Sequence, residues 1–352
     1  MPPTLQRWLM TGPGEPLVPE EQPLPEPGPG EALVEIAGCG ICHTDLGFLD
    51  GGVRTRHPLP LTLGHEISGR VAAAGPGAEA WAGREVVVPA VLPCGECALC
   101  RSGRENACQH QKMPGNDFHG GFASHILVPA RWLVDASGLP EGVELADVAV
   151  LADAVTTPYQ AAERARIQES DMVVLVGAGG IGSFGVQIAA ARGARVLAVD
   201  VDEARLERAA RFGAAATVCT RGLEPREARK AVRGRLQELG HEGHGLKVLE
   251  MSGTPAGQEL AWSLLEPAGT VGIVGFCLDR VPVRLSSLMA FDADAFGNWG
   301  CRPALYGPAL DLIREGRVQV TPFVRRFPLD RVNEVLDEVR AHRLRERPVL
   351  QP

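Results

Sequence analysis

The chain has 352 residues, of which 45% are hydrophobic and 22% are charged, with a net charge of -8 at pH 7. This size and composition are typical of a globular protein with two cored domains and argue against extensive disorder. The acidic balance also argues against a nucleic acid or an anionic membrane as the main partner, because such proteins usually carry a basic excess.

The location and redox state of the protein are suggested by its apolar runs and its cysteines. The longest apolar runs, such as Met172–Val176, are too short to span a bilayer, and the first ten residues show no secretory leader. Six of the nine cysteines lie between Cys39 and Cys108, which without a leader favours metal binding over disulfides. We therefore expect a cytoplasmic protein with no membrane partner.

The first part of the chain is predicted to be rich in strands and loops. Residues 13–29 are dominated by Pro, Glu and Gly, and alternating polarity predicts a strand at 32–37. Further short strands are predicted at 68–73, 85–91 and 126–128. Their separation by Gly and Pro is typical of a partly closed antiparallel or barrel-like domain.

A different architecture is predicted after a helical segment at 151–165. The apolar strand Met172–Val176, a glycine turn, a helix at 183–192 and a strand at 195–199 make a βαβ unit. Strands at 247–251 and 270–274, with a helix at 258–265, extend it into a doubly wound parallel sheet. The tail is predicted to hold helices at 306–315 and 329–341 and a strand at 318–322. The predicted fold class is α/β, with a β-rich domain and a Rossmann domain.

The stretch from Cys39 to Glu66 brings possible metal ligands together. It contains Gly-Cys-Gly-Ile-Cys-His-Thr-Asp, ending at Asp45, and then Gly64-His65-Glu66. Zinc accepts thiolate, imidazole and carboxylate ligands, and a catalytic zinc needs about three protein ligands and an open position for substrate. The stretch is therefore predicted to supply part of a catalytic zinc site.

Four more cysteines form what we call the cysteine lobe, residues 94–108. Their spacing is C-x2-C-x2-C-x7-C, and they are Cys94, Cys97, Cys100 and Cys108. Four thiolates so close together can close a tetrahedral zinc site with no open position, which indicates a structural metal. The alternatives are an iron–sulfur cluster, against which the long last gap argues, and reduced buried thiols.

The turn from Gly177 to Gly182 satisfies the pattern G-x-G-x-x-G. It follows an apolar strand and opens a helix, and Asp200 ends the next strand, which is the context of a dinucleotide site. Glycines permit the tight turn and the approach of a pyrophosphate to the helix N-terminus. Asp200 would bind the adenosine ribose and repel a 2′-phosphate, which favours NAD over NADP, whereas Arg205 could meet a phosphate. The predicted cofactor residues are Gly177, Gly179, Gly180, Ile181, Gly182, Asp200 and Arg205; a turn without a ligand is the alternative.

Together these motifs resemble the zinc-dependent alcohol dehydrogenases of the medium-chain dehydrogenase/reductase family, over about residues 31–349. The resemblance implies a GroES-like, zinc-binding catalytic domain at 1–154 and 296–352, and a Rossmann domain at 155–295. It implies a zinc thiolate from Cys42 and an imidazole from His65, with Asp45 orienting His65 and Glu66 able to enter the zinc sphere. Cys39 is then not a ligand.

The third zinc ligand departs from the commonest pattern of the resembled family. Many relatives have a second cysteine where this chain has Asp153, and carboxylate oxygen is an acceptable zinc donor. Cys42, His65 and Asp153 then form the ligand set of a bacterial secondary-alcohol branch. The alternative is that Asp153 only caps the following helix.

The implied reaction is oxidation of an alcohol with hydride transfer to NAD, aided by zinc. Thr44 would take the hydroxyl proton, unless it is an ordinary loop residue. Many relatives continue the proton relay through a histidine where this chain has Gly47, so His43 or water must complete it here. The alternative role that the resemblance implies for His43 is contact with the cofactor pyrophosphate, and Thr157 is implied to lie near the nicotinamide.

The substrate is the least determined property. Short loops at 111–117, 119–125 and 297–301 look like those of 6-hydroxycyclohex-1-ene-1-carbonyl-CoA dehydrogenases, which implies an acyl-CoA substrate. Cations for its phosphates would be Arg54, Arg56, Lys112, Arg302 and Arg325. The alternatives are a general secondary-alcohol or polyol dehydrogenase and a zinc-free quinone or enoyl reductase, whose mark would be loss of the metal ligands. Relatives form dimers or tetramers, so a homo-oligomer is implied.

Overall fold

A computed structural model describes residues Thr4–Pro352, which divide into two compact units. The first unit comprises the residues up to Thr156 together with Gly300–Pro352, and the second is Thr157–Trp299. The predicted domain boundaries differ from these divisions by two residues at the first and four at the second. Both units are described separately below.

The elements alternate between short strands and helices. The strands are β1 Thr4–Leu9, β2 Val18–Pro23, β3 Glu31–Gly40, β4 Glu66–Ala74, β5 Glu85–Val88, β6 His125–Pro129, β7 Val134–Asp135, β8 Met172–Val176, β9 Arg195–Asp200, β10 Ala214–Cys219, β11 Lys247–Glu250, β12 Thr270–Ile273, β13 Asp294–Gly297, β14 Val324–Pro328 and β15 Arg347–Gln351. The helices are α1 His43–Leu49, α2 Ala98–Arg101, α3 Thr156–Arg164, α4 Gly182–Ala191, α5 Glu203–Arg211, α6 Pro225–Glu238, α7 Pro255–Ser263, α8 Ser286–Phe291, α9 Tyr306–Arg314 and α10 Val332–Arg340. Across residues 4–352, no helix combines the length and the apolar character needed to cross a membrane.

The first unit is built on a mostly antiparallel sheet. Its strand order is β14-β15-β3-β4-β5-β7, with β6 paired to β3, and β1 and β2 form a separate antiparallel pair. β3 is the central strand, and Ala32, Val34 and Ile36, which share one face of it, belong to the core of the first unit, while Leu33 on the opposite face is also buried. The sheet brings the end of β3 beside the start of β4, where Cys39 pairs with Ile67 and Gly40 with Glu66. This register places the predicted metal residues close together.

The second unit is a six-stranded sheet in the order β10-β9-β8-β11-β12-β13, and every strand pair is parallel. This is the doubly wound Rossmann order. β8 is continuously apolar and buried, as expected for a central strand of a parallel sheet that is covered on both faces. The predicted α/β fold class is confirmed.

The predicted helix at 151–165 is interrupted. A 3-10 helix spans Asp147–Ala152, and α3 begins only at Thr156. Asp153 between them has φ -141° and ψ -57°, outside helical geometry. The apolar sequence predicted continuous helix because the break itself carries no Gly or Pro. The break turns Asp153 out of the helical path.

The predicted strand at 318–322 is wrong. Val318 and Val320 are buried, but Thr321–Phe323 form a 3-10 turn and the strand β14 starts at Val324. Pro322 lacks an N–H for sheet pairing, and the alternation of the valines reflects anchoring in the core. Several strands had no clear signal in the sequence, among them the short edge strand β13 and the C-terminal β15.

Candidate active site

Asp45 holds two segments of the first unit together. Cys42 is the N-cap of α1, and the Cys42 N–H donates to Asp45 Oδ2 at 2.8 Å, as in a capping box. The other oxygen, Oδ1, accepts from the Gly64 N–H at 3.0 Å and lies 3.5 Å from His65 Nδ1. Asp45 is fully buried. A single carboxylate thus fixes the positions of Cys42 and His65 relative to each other.

The side chains of Cys42, His65, Glu66 and Asp153 converge. One ligand atom from each lies within 4.8 Å of all the others. Asp153 Oδ2 is 3.8 Å from Cys42 Sγ and 3.8 Å from His65 Nε2. A tetrahedral zinc with bonds of about 2.0–2.3 Å separates its ligand atoms by roughly 3.3–3.8 Å. The two distances from Asp153 Oδ2 therefore have the spacing of ligands on one tetrahedral zinc, and Cys42 and His65 lie within the same group.

The charges around this group also suit a divalent cation. With Cys42 ionised, the thiolate and the carboxylates of Glu66 and Asp153 interact with one buried guanidinium, that of Arg347, and the buried carboxylate of Asp45 lies beside His65. Buried anions in such excess are costly unless a cation compensates for them. The pKa of His65 is raised: burial lowers it, but the charge of Asp45 and the nearby carboxylate of Asp153 more than offset that effect. The negative charge that favours a proton on His65 would equally favour a zinc ion bound to His65 instead of that proton.

Glu66 is engaged by a residue that sequence reasoning missed. Arg347, in β15, donates to Glu66 Oε2 through Nε at 3.0 Å and to Oε1 through Nη2, and both residues are buried. Burial raises the pKa of Glu66, and Arg347 partly offsets this. Gly40 is required here, since a Cβ at that position would lie 2.1 Å from Glu66 Oε2. Glu66 thus lies within reach of the metal position while paired to Arg347.

Asp153 is supported by a second residue that the sequence did not reveal. Tyr306, fully buried at the start of α9, donates through its hydroxyl to the Ala152 carbonyl at 2.6 Å. The same hydroxyl accepts from the Ala90 N–H at 3.2 Å. Burial raises the pKa of Tyr306, so the hydroxyl stays protonated and can donate. The residue immediately before Asp153 is therefore tied to the core of the first unit.

The remaining predicted residues of the first metal stretch fall into distinct environments. Thr44 is exposed, and its Oγ1 lies 3.6 Å from Cys42 Sγ, beside the metal group. His43 is exposed, with its ring stacked on His342 at a centroid distance of 6.3 Å. Cys39 is buried and donates to the Gly40 carbonyl, outside the metal group. At Gly47 a Cβ would meet only Val53, at 3.8 Å, so a side chain would fit there.

The cysteine lobe forms the second converging group. Sγ–Sγ distances are 3.5 Å for Cys97–Cys100 and Cys94–Cys108, 3.7 Å for Cys97–Cys108 and 3.9 Å for Cys94–Cys100. Tetrahedral zinc with four thiolates separates sulfur atoms by about 3.8 Å. A backbone hydrogen bond from Cys100 lowers the pKa of Cys97 to about 6, which favours a thiolate there, whereas burial raises the pKa of Cys100 to about 12. The lobe fits a closed, four-thiolate zinc site.

In the second unit, the glycine turn has the geometry of a dinucleotide loop. Gly177 has φ +94°, and a Cβ there would lie 2.6 Å from the Ser252 nitrogen. A Cβ at Gly182, the first residue of α4, would lie 1.8 Å from the Gly177 carbonyl oxygen. Gly179 has more space, with only Arg205 within 4 Å. Gly177 and Gly182 are thus needed for the turn itself, and the absence of a side chain at Gly179 leaves room for a ligand to approach the backbone.

Asp200 braces that turn from the end of β9. Its Oδ2 accepts from the Ala178 N–H at 2.7 Å, and its Oδ1 accepts from the Asp202 N–H at 2.9 Å. Each carboxylate oxygen has a second lone pair, so Asp200 can still accept hydrogen bonds from ribose hydroxyls. Arg205 Nη1 lies 4.0 Å from Asp200 Oδ2.

Thr157, at the start of α3, accepts through its carbonyl from Asn298 Nδ2 at 3.2 Å.

Comparisons with known proteins agree with both units. Residues 28–140 match the family described as the alcohol dehydrogenase GroES-like domain, and residues 180–315 match zinc-binding dehydrogenase. The chain is 31% identical to an alcohol dehydrogenase of Moraxella sp. (strain TAE123), covering 96% of each sequence.

Two solved structures show the same similarity at lower identity. A protein described as a zinc-binding dehydrogenase from Sinorhizobium meliloti 1021, bound to NADP, matches with a TM-score of 0.88 at 25% identity over 99% of this chain and 100% of that one. The acetophenone reductase of Geotrichum candidum NBRC 4597, in complex with NAD, matches with a TM-score of 0.83 at 27% identity over 100% and 98%. The chain belongs to the zinc-binding alcohol dehydrogenases of the medium-chain dehydrogenase/reductase family.

Proposed function

We propose that this protein oxidises a secondary alcohol to a ketone and passes the hydride to NAD. The observation that carries the proposal is the convergence of Cys42, His65 and Asp153, in which Asp153 Oδ2 lies 3.8 Å from both Cys42 Sγ and His65 Nε2, the separation of two ligands on a tetrahedral zinc. Three protein ligands leave one position for the substrate oxygen, as in catalytic rather than structural zinc sites. Family membership supports the reaction class.

The residues around the metal group have separate roles in this proposal. Zinc held by Cys42, His65 and Asp153 would supply Lewis-acid polarisation of the alcohol oxygen. Asp45 keeps the imidazole of His65 oriented with Nε2 toward the metal position. Thr44, beside Cys42, accepts the hydroxyl proton and passes it to water or to His43, because Gly47 has no side chain to continue a relay. The products are a ketone, NADH and one proton.

Cofactor choice rests on Asp200, because relatives bind either NAD or NADP. We propose NAD, since a carboxylate at the end of β9 repels a 2′-phosphate and accepts ribose hydroxyls. Asp200→Ala should raise the KM for NAD about tenfold and leave the KM for NADP unchanged or lower it, in steady-state assays. Equal increases in both KM values would contradict the assignment. Glu207→Ala, at an exposed carboxylate of α5, serves as the matched control and should leave both KM values unchanged.

Three of the five cations proposed for the phosphates of an acyl-CoA substrate already have contacts within the protein. Arg56 pairs with Asp117 at 3.5 Å, Arg302 donates to the Gly103 carbonyl at 3.1 Å, and the Arg325 guanidinium lies 5.0 Å from the Phe327 ring centroid. A general secondary alcohol or polyol is therefore the substrate class that we propose. The acyl-CoA remains one arm of the test.

The experiment combines metal analysis with a substrate panel. Purified protein should contain about two zinc ions per chain and reduce NAD with short secondary alcohols, cyclohexanol or sorbitol. Turnover of only 6-hydroxycyclohex-1-ene-1-carbonyl-CoA would restore the acyl-CoA hypothesis. Two bound zinc ions with no turnover of any alcohol would contradict the proposed function.

We also propose a cytoplasmic homodimer or homotetramer. All nine cysteines are free of disulfides, which suits a reducing compartment, and cell fractionation would test the location.

Exposed apolar side chains are concentrated at 276–299, around the edge strand β13, and include Phe276 (71% exposed), Leu278 (71%) and Met289 (80%). Exposed apolar side chains in the segment that leads to an edge strand favour burial against a second copy. Light scattering should show an oligomer that Phe276→Ser weakens and Leu223→Ser, at an exposed leucine elsewhere, does not.

A further inference from the structure

A cavity of about 560 Å³ lies entirely within the first unit. We call it the lobe-side cavity, because it opens between β1, β6 and the start of the cysteine lobe, with Leu5, Cys94 and Ile126 among its lining residues. Cys42, His65 and Asp153 do not line it. Its volume is within the range of small-molecule sites, which is roughly 300–1,000 Å³. It is therefore large enough for a ligand and separate from the metal group.

The wall of the lobe-side cavity is largely apolar. Leu5, Leu92, Phe118, Ile126 and Trp132 come from four separate segments of the first unit. Residues of this kind bind the body of an organic ligand, and a few polar groups then fix its orientation. The cavity thus has the composition of a binding site for a molecule with a ring or an alkyl chain.

The polar groups of this cavity are mostly donors and cations. Lys112 is exposed, and its backbone is fixed by two hydrogen bonds of 2.9 Å with Leu92. Arg131 donates to the Cys94 carbonyl at 3.1 Å and lies 5.1 Å from the Trp132 ring centroid. Arg7 is already neutralised by Glu20 at 2.5 Å. The carboxylate that lines the cavity, Glu31, accepts from the Gly28 N–H at 3.0 Å. Lys112 and Arg131 therefore outnumber the one lining carboxylate.

His119 adds a neutral donor to the same wall. Its Nδ1 accepts from the Thr62 N–H at 3.1 Å, so the ring proton lies on Nε2. Burial, the charge of Arg7 and that of His57 lower the pKa of His119 to about 4, so the ring is neutral at pH 7. The backbone contact thus fixes one tautomer and leaves Nε2–H available to an acceptor.

We propose that the lobe-side cavity binds a small organic anion with an aromatic or aliphatic body, held by Lys112 and by the Nε2–H of His119. The apolar wall contacts the body of the ligand, and the cationic wall contacts its carboxylate, sulfonate or phosphate. Trp132, beside Arg131, would stack on an aromatic ring. In a protein with a net charge of -8, this preference is local to the cavity.

The probe for this test is 8-anilinonaphthalene-1-sulfonate, whose fluorescence rises in apolar sites, titrated into the zinc-loaded protein. We expect one site per chain, not displaced by saturating NAD, with affinity reduced about tenfold by Lys112→Gln and by His119→Phe. Lys230→Gln is the matched control, because Lys230 is an exposed lysine of the second unit. N-phenyl-1-naphthylamine, which has the same rings without the sulfonate, should bind Lys112→Gln and the unaltered protein equally.

Three results would overturn the proposal. The first is equal sulfonate affinity in Lys112→Gln, His119→Phe and the unaltered protein. The second is displacement of the probe by NAD, which would place it in the dinucleotide turn. The third is an equal loss of affinity for the uncharged probe, which would show a general apolar surface. Circular dichroism and zinc content, unchanged in each variant, ensure that the comparison is made on folded protein.

Discussion

The two metal-ligand groups of the first unit differ in how they are assembled. The cysteine lobe takes all four thiolates from residues 94–108, and turns between neighbouring residues are sufficient to bring them together. The other group takes Cys42 from the cap of α1, His65 and Glu66 from the start of β4, and Asp153 from a break between two helices. One group is local in sequence, and the other depends on the sheet.

This difference in assembly matches a difference in chemistry. The converging ligands of the lobe are four identical thiols, with no imidazole or carboxylate among them, which suits a closed site. The other group mixes sulfur, nitrogen and oxygen donors and is surrounded by supports that do not themselves bind metal, namely Asp45, Arg347 and Tyr306. We infer that the lobe acts on stability and that the mixed group acts on catalysis. The predictions below test that separation.

The largest effect is expected from Asp153→Asn. An amide oxygen is a poorer zinc donor than a carboxylate, so the mixed group should lose its metal while the lobe keeps its own. Zinc content should fall from about two to about one per chain, measured by mass spectrometry of the metal. Alcohol oxidation should fall by about 10³-fold, since Lewis-acid assistance is worth several kcal/mol. Full activity with two zinc ions would show that Asp153 is only a cap.

Cys97→Ser is the complementary variant, because it removes a ligand of the lobe and leaves the mixed group intact. Losing a thiolate opens the lobe, so zinc content should again fall to about one per chain, but the remaining metal should be the catalytic one. The free energy of unfolding of the first unit should fall by several kcal/mol, measured by thermal and urea unfolding. The kcat of protein that is still folded should stay within about twofold. A loss of kcat as large as in Asp153→Asn would show that the two groups are not independent.

Arg347→Met should destabilise the mixed group without removing a metal ligand. Glu66 would be left as a buried charge without its partner, and such a loss typically costs about 3–5 kcal/mol. Urea unfolding of the metal-free protein measures this directly. The double variant Glu66→Gln with Arg347→Met should recover most of the loss, because no unpaired charge remains. If the double variant is as unstable as the single one, the ion pair is not the cause.

The cysteine lobe could be predicted from the sequence more completely than the mixed group, because its ligands are close together in the chain. The lobe was predicted in full because the short sequence separations of its cysteines are enough to bring the four thiols together. These cysteines are Cys94, Cys97, Cys100 and Cys108. Cys42 and His65 were found from a local motif, but Asp153 came only from resemblance to a family, because its position depends on an unpredicted break before α3. Arg347 and Tyr306 gave no local signal, since their partners Glu66 and Ala152 are distant in sequence.

The βαβ unit was readable because a buried parallel strand is a continuous apolar run. β8 was predicted with its observed ends, and β9 lies within one residue of its prediction. Strands at the edges of the sheets, such as β13 and β14, were not predicted, because they are short and partly polar and because pairing with a neighbour, which the sequence does not show, defines them.

The smallest effect is expected from Tyr306→Phe, which tests whether the mixed group depends on support far from the metal. The change removes a hydroxyl that donates to the Ala152 carbonyl and accepts from the Ala90 N–H, while the buried ring stays. Loss of such a supporting contact typically lowers metal affinity about 10–100-fold. A chelator titration should show weaker binding of one zinc only, because the lobe has no contact with Tyr306 of this kind. Phe323→Leu, another buried aromatic of the same unit, serves as the control for a general packing loss. If Tyr306→Phe and Phe323→Leu lower the affinity of both zinc ions equally, Tyr306 stabilises the unit as a whole and does not position Asp153.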